Sequence, residues 1–174
     1  MAEREIAGKR FFRTLAGRVL ILTVLFVMLA EVLIFVPSVA RYRVDFLMDR
    51  LERAQIASLA LLANDQIPDE LADELLMNAG VFNVVLRRDE ARQLVLSSPI
   101  PTPISVTFDL RDPTAAELIR DALSRMTKAE AEIIRVIGEP PQMGGLLLEV
   151  TLDTEELRDS MIDYGFRILL LSAV

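Results

Sequence analysis

The strongest constraint on this chain is a run of 22 residues, Val19 to Ala40, in which only Glu31 is charged. Coiled as a helix at ~1.5 Å per residue, it covers the ~30 Å hydrocarbon core of a bilayer. A second apolar run, Tyr164 to Val174, closes the sequence without a stop signal. The expectation is therefore the front end of a longer membrane protein, truncated within a second transmembrane helix. This gives a basic N-terminus over residues 1–18, a transmembrane helix over 19–40, a polar domain over 41–163, and the start of another transmembrane helix over 164–174.

Charge is divided by position. Arg4, Lys9, Arg10, Arg13 and Arg18 face only Glu3 and Glu5 before the first span, whereas Arg41 to Asp163 holds 13 basic and 23 acidic residues. The positive-inside rule places the N-terminus in the cytoplasm and the acidic domain outside it. An acidic domain repels phosphates, which argues against nucleic acid as a partner and leaves the lipid bilayer as the first one. The sequence has no Cys and no His, so disulfides, thiol chemistry and the commonest metal ligands and general base are missing. Ser38-Val39-Ala40 matches the small-residue pattern of a signal-peptide cleavage site, but the apolar stretch is longer than a signal core and its basic flank is long. An uncleaved anchor is the favoured reading.

Within the domain, Tyr42 to Ala63 lacks Pro and Gly, and Val44, Leu47, Leu51, Ala54, Ser58 and Leu61 recur at spacings of three and four. That is one helical seam, open to use against the domain's own core, against a second copy, or both. Phe46, Ile56, Leu59 and Leu62 widen it. Asp65-Gln66-Ile67-Pro68 breaks the helix, and Asp69 to Asn78 resumes one with Leu71, Leu75 and Leu76 inward and Gly80 as its stop. Val81–Leu86 and Arg92–Leu96 read as an antiparallel hairpin around the polar stretch Arg87 to Ala91. Pro99, Pro101 and Pro103 hold the next segment extended, and the alternation of Ile104, Val106, Phe108 and Leu110 suits an edge strand or a cover over the sheet.

Asp112-Pro113 reads as the start of a helix to about Lys128, with Ala116, Ile119, Leu123 and Met126 inward. Ile133–Ile137 and Leu146–Leu152 are two more strands around the turn-rich stretch Gly138 to Gly145. Asp153 and Glu156 resemble a capping box that launches a helix straight into the final apolar run. The fold class is α/β: an antiparallel sheet with a long N-terminal helix, anchored in the membrane.

Few residues invite a chemical role. Glu31 is costly within a span, and such residues are often functional, although a helix partner or a hydrogen bond explains it equally. Pro37 marks a bend or a helix end at the interface. Arg167, one turn inside the second run, has a stem long enough to reach the headgroups. Arg87-Arg88 with Asp89-Glu90 reads as a solvated turn cluster, and Asp73-Glu74 and Glu155-Glu156 as solubility or capping residues. No phosphate loop, nucleophile elbow or zinc-protease helix is present. No catalytic, cofactor-binding or metal-binding residue is assigned.

The anchor Leu29-Ala30-Glu31-Val32-Leu33-Ile34-Phe35-Val36-Pro37-Ser38-Val39-Ala40 and the helix Arg50-Leu51-Glu52-Arg53-Ala54-Gln55-Ile56-Ala57 resemble the start of sensor histidine kinases of alphaproteobacteria. Phe108-Asp109-Leu110-Arg111-Asp112, Ile133-Ile134-Arg135-Val136-Ile137-Gly138 and Ile168-Leu169-Leu170-Leu171-Ser172 carry the resemblance along nearly the whole chain. It implies a PAS-like periplasmic sensor domain between two helices of the inner membrane, working as a homodimer on an unknown periplasmic ligand. It further implies that the parent protein autophosphorylates with ATP and passes phosphate to a response regulator through parts absent from this sequence. A chemotaxis-type receptor, a cyclic-dinucleotide synthase, or a complete anchored interaction protein are the alternatives.

Overall fold

The computed structural model describes residues 14–62, 68–88, 91–139 and 147–172. The first element, α1, is a single helix from Leu15 to Leu62. At ~1.5 Å per residue its 48 residues extend about 72 Å. Its N-terminal part is long and apolar enough to cross a membrane, with a mean hydropathy of 3.0 and none of that window buried in the chain. The helix does not end at Pro37, as one of the two expected outcomes there had it. The missing donor removes one bond from the ladder, to the Leu33 carbonyl, and the helix runs on to Leu62.

Helix α2 (Asp69–Ala79) ends on Gly80, whose φ of 66° lets its N–H and that of Val81 reach back to the last carbonyls of the helix. Five strands follow: β1 (Asn83–Arg88), β2 (Ala91–Ser97), β3 (Val106–Asp109), β4 (Ile133–Gly138) and β5 (Leu147–Asp153). Helix α3 (Ala115–Thr127) lies between β3 and β4, and α4 (Glu155–Ser172) closes the described chain. The sheet has the order β2-β1-β5-β4-β3.

The expected antiparallel sheet needs correction, because β3 pairs with β4 in parallel while the other three pairs are antiparallel. Parallel neighbours need a crossover, and α3 provides it. Arg87 and Arg88 belong to β1 rather than to a turn, since Arg88 pairs with Ala91 across the hairpin. The turn at Asp89-Glu90, the break at Asp65 to Ile67, the basic residues up to Arg13 and the stretch Pro140 to Leu146 lie outside the described residues.

Register places Val84, Leu86, Ile134, Val136, Leu148, Val150 and Leu152 on one face of the sheet, and all are buried. Against that face lies α1. Leu47 and Leu51 have 0% exposure, and Ala54, Ala57 and Ser58 are buried beside them. The seam therefore serves the chain's own core, with Val44 half-buried at its N-terminal end. Of the residues expected to widen it, Ile56 is 58% exposed and Leu59 40%. The core extends into the expected span, since Val39 and Ala40 are buried with it.

Two helix faces are rotated from expectation. In α2 the buried side is Leu76 and Ala79 with Ala72 and Leu75 packed alongside, and Leu71 is exposed. In α3 the buried side is Ala122 and Arg125 with Leu118, Ile119 and Met126, while Ala116 and Leu123 face outward. The cap of α3 is Thr114 rather than Asp112: the Thr114 hydroxyl accepts from the Glu117 N–H, and the Glu117 carboxylate accepts from the Thr114 N–H. The capping box expected at Asp153 and Glu156 does not form. Asp153 accepts from the Glu155 N–H at 2.8 Å, and Glu156 reaches Arg50 instead.

Candidate functional site

The two apolar helices lie side by side. Tyr42 of α1 stacks on Tyr164 of α4 with ring centroids 4.3 Å apart. Further down, Gly165 lets the Phe35 ring approach, since a Cβ on Gly165 would sit 3.3 Å from it. At the far end the Ser172 hydroxyl donates to Glu31 Oε1 at 2.7 Å. Residue numbers fall along α1 as they rise along α4, so the helices run antiparallel. Glu31 thus has a polar partner on the neighbouring helix, one of the roles open to it. Arg167 is exposed, and no ion pair involves it among the described residues.

Among the described residues, three arginines are buried in the polar domain, and their surroundings differ. Arg50 of α1 donates to the Ala79 carbonyl at 3.2 Å, pairs with Glu156 and lies over the Phe46 ring. It binds the end of α2 and the start of α4 to α1, and a cation suits the negative end of a helix. Arg125 of α3 donates to the carbonyls of Lys128 at 2.8 Å and Glu130 at 2.7 Å, and to the Thr154 hydroxyl at 2.9 Å. Those contacts tie the end of α3 to the start of α4.

Arg43 is unlike both. It is 1% exposed, its guanidinium carbon lies 4.3 Å from the centroid of the Phe108 ring, and it makes no hydrogen bond or ion pair among the described residues. Its Nε is buried without a partner. Burial lowers its pKa from the ordinary arginine value, the nearby Asp121 carboxylate raises it, and Arg125 lowers it again.

Beside Arg43 is a cavity of about 150 Å³ between α1, α3, the β3–β4 edge and the start of α4. Arg43, Arg125, Ile134, Thr154 and Leu157 form its buried wall, and Asp121, Ser124, Lys128 and Glu132 its more accessible side. Glu132 pairs with Lys128 at 2.9 Å and Arg125 at 3.5 Å. Asp121 pairs with Arg120 at 3.6 Å.

A larger open cleft of about 650 Å³ runs along β3 and the start of α3. Most of its charges are already engaged, Asp109 with Arg111, Glu117 with the Thr114 cap and Arg120 with Asp121, and Asp112 is exposed. Hydrogen bonds from the Arg111 side chain hold the Asp109 carboxyl below the usual range, and those from Thr114 do the same for Glu117. Asp73-Glu74 and Glu155 lie exposed on helices, and among the described residues no group of acidic side chains is placed to hold a metal ion.

Sequence reasoning passed over the buried arginines, although a signal was there. Arg43 is one turn before Leu47 on the seam, Arg50 adjoins Leu47 and Ala54 at helical spacing, and Arg125 stands three residues after Ala122. A charge at a stripe position was the sign. Comparison of the chain with family models, with curated proteins and with solved structures finds no match.

Proposed function

We propose that this chain is the sensing and transmitting part of a membrane receptor. In this reading α1 spans the cytoplasmic membrane with its N-terminus inside, the α/β domain stands in the periplasm, and α4 returns through the same bilayer beside α1. The observation that carries it is continuity: the helix that supplies the apolar span also supplies Leu47, Leu51 and Ala54 to the domain core. The last strand passes into α4 through Thr154 alone. A change in the domain is thereby felt in two helices without a flexible linker to absorb it.

By resemblance, the output is that of a sensor histidine kinase, with ATP bound in a separate catalytic domain and a response regulator as the phosphate acceptor. A homodimer of such a receptor has to use a face of α1 other than Leu47 and Leu51. The test is to express the complete reading frame and incubate its membranes with labelled ATP. Acid-labile, base-stable phosphate on the protein supports a kinase, whereas a downstream chemotaxis-type or cyclic-dinucleotide-forming domain without it replaces that output with one of the alternatives.

A further inference from the structure

The geometry points to a binding site for a short-chain carboxylate in the cavity beside Arg43, with the Arg43 guanidinium as the principal anion contact. A buried cation without a hydrogen-bond partner is among the costlier groups a fold can contain, because desolvation is not offset by pairing. Here the cost is local, since Arg50 and Arg125 each hydrogen-bond through their Nη atoms, even though the Arg125 Nε is also buried without a partner, whereas Arg43 makes no hydrogen bond among the described residues. Both Arg43 and Arg125 line the cavity, but Arg43 alone of the two has no carbonyl, hydroxyl or carboxylate within hydrogen-bond reach among the described residues; Asp121 acts on it only at longer range.

The charges lining the cavity favour an anion. Arg43, Arg125 and Lys128 stand against Asp121 and Glu132, leaving one net positive charge. Both acids have other cationic partners, Arg120 for Asp121 and Lys128 with Arg125 for Glu132. Arg43 is thus the lining cation without an ion pair among the described residues, and a planar carboxylate matches its fork of donors.

The walls also select the rest of the ligand. Val106, Phe108, Ile134 and Leu157 give the cavity an apolar side, which suits a hydrocarbon tail better than the fully hydrated faces of phosphate or sulfate. A volume of about 150 Å³ corresponds to about five water molecules. That admits an anion such as propionate and excludes a lipid chain. Its walls come from α1, α3, the β3–β4 edge and α4, so an occupant would bridge both helices that lead to the membrane. The signalling consequence rests on the receptor reading above, but the binding itself does not.

The test uses the full 174-residue chain in uncharged maltoside micelles, melted by circular dichroism with sodium propionate, chloride, sulfate or phosphate at matched ionic strength. Propionate is expected to raise the melting temperature by about 3–5 °C at about ten times its dissociation constant, to keep raising it with the logarithm of concentration above that, and to do so by more than the other anions. Arg43→Met should abolish that rise, Arg43→Lys should keep a weaker one, and the exposed Arg53→Gln should leave it whole. Saturation-transfer NMR on propionate gives the same comparison without a melt. No propionate-specific response in the unaltered chain, or an equal one in Arg43→Met, overturns the site. A larger response to phosphate or sulfate overturns the carboxylate assignment. Because no output is measured, failure here leaves the receptor reading standing, and failure of the labelled-ATP test leaves the site standing.

Discussion

At the level of single residues, the domain is held by a few side chains that join elements distant in sequence. Gly80 is one such place, because its φ of 66° is in the left-handed region and an added Cβ would lie 2.0 Å from Arg50 Nη1. Gly80→Ala should lose at least about 1 kcal/mol of stability from backbone strain, with more from displacing Arg50, and urea unfolding would show it. Thr114 is another. Removing its cap as Thr114→Ala should lower stability by about 1 kcal/mol near neutral pH. The loss should depend on pH in a definite sense. The folded-state pKa of Glu117 is depressed by its bonds from Thr114, so its contribution is present above the ordinary glutamate pKa and fades as pH falls through the folded value. Thr114→Ala keeps the backbone bond to Glu117 and loses the one from the hydroxyl, so the gap between it and the unaltered chain should narrow as pH falls below the ordinary glutamate pKa, as paired melts would show.

Among elements, the relation of α1 to its neighbours decides how the chain works. Leu47 and Leu51 are fully buried against the chain's own sheet. Leu51→Ala should therefore destabilise the fold by about 2–5 kcal/mol, independent of protein concentration. Since the chain has no native cysteine, Leu47→Cys and Asp49→Cys can be compared cleanly: the exposed position should react with an aqueous maleimide in the folded protein, and the buried one should not. Equal labelling would show that the seam is not buried in the chain's own core. The stack of Tyr42 on Tyr164 and the bond from Ser172 to Glu31 make a second expectation. A short thiol crosslinker should join Tyr42→Cys to Tyr164→Cys within one chain, giving a faster-running monomer on a denaturing gel. Crosslinks between chains alone would show that α1 and α4 pair in another way.

For the whole molecule, the central quantity is orientation. In the proposed receptor, where the apolar part of α1 crosses the membrane, the basic residues before it and the acidic excess after it would put the α/β domain outside the cytoplasm. A reporter that works only in the periplasm, fused after Leu110, should be active, and one that works only in the cytoplasm should be silent there. The reverse pattern would invert the topology. The core also bears on where such a domain can be cut. Val39 and Ala40 are buried with the sheet-facing residues, so a soluble piece that begins at Arg41 leaves part of the core behind.

Much of this was legible in the residues alone, because the signals concerned are local. An apolar stretch with Glu31 as its one charge reports a helix long enough to cross a membrane, a three-four spacing reports the rest of α1, and alternation with flanking Pro and Gly reports the strands, each from neighbouring residues alone. Element order and the Gly80 stop could be read in that way. What needed the tertiary structure is non-local. The parallel pairing of β3 with β4 follows from α3 crossing between them, and strand spacing alone does not reveal the direction of a neighbour. Glu156 abandons a local cap for Arg50, more than a hundred residues earlier, because a buried guanidinium gains more from a carboxylate than a helix end does. The three arginines show the same limit most sharply. Each occupies a stripe position in the sequence, but only the packing of α1, α3 and α4 decides that Arg50 and Arg125 find hydrogen-bond acceptors in the chain and that Arg43 finds none among the described residues.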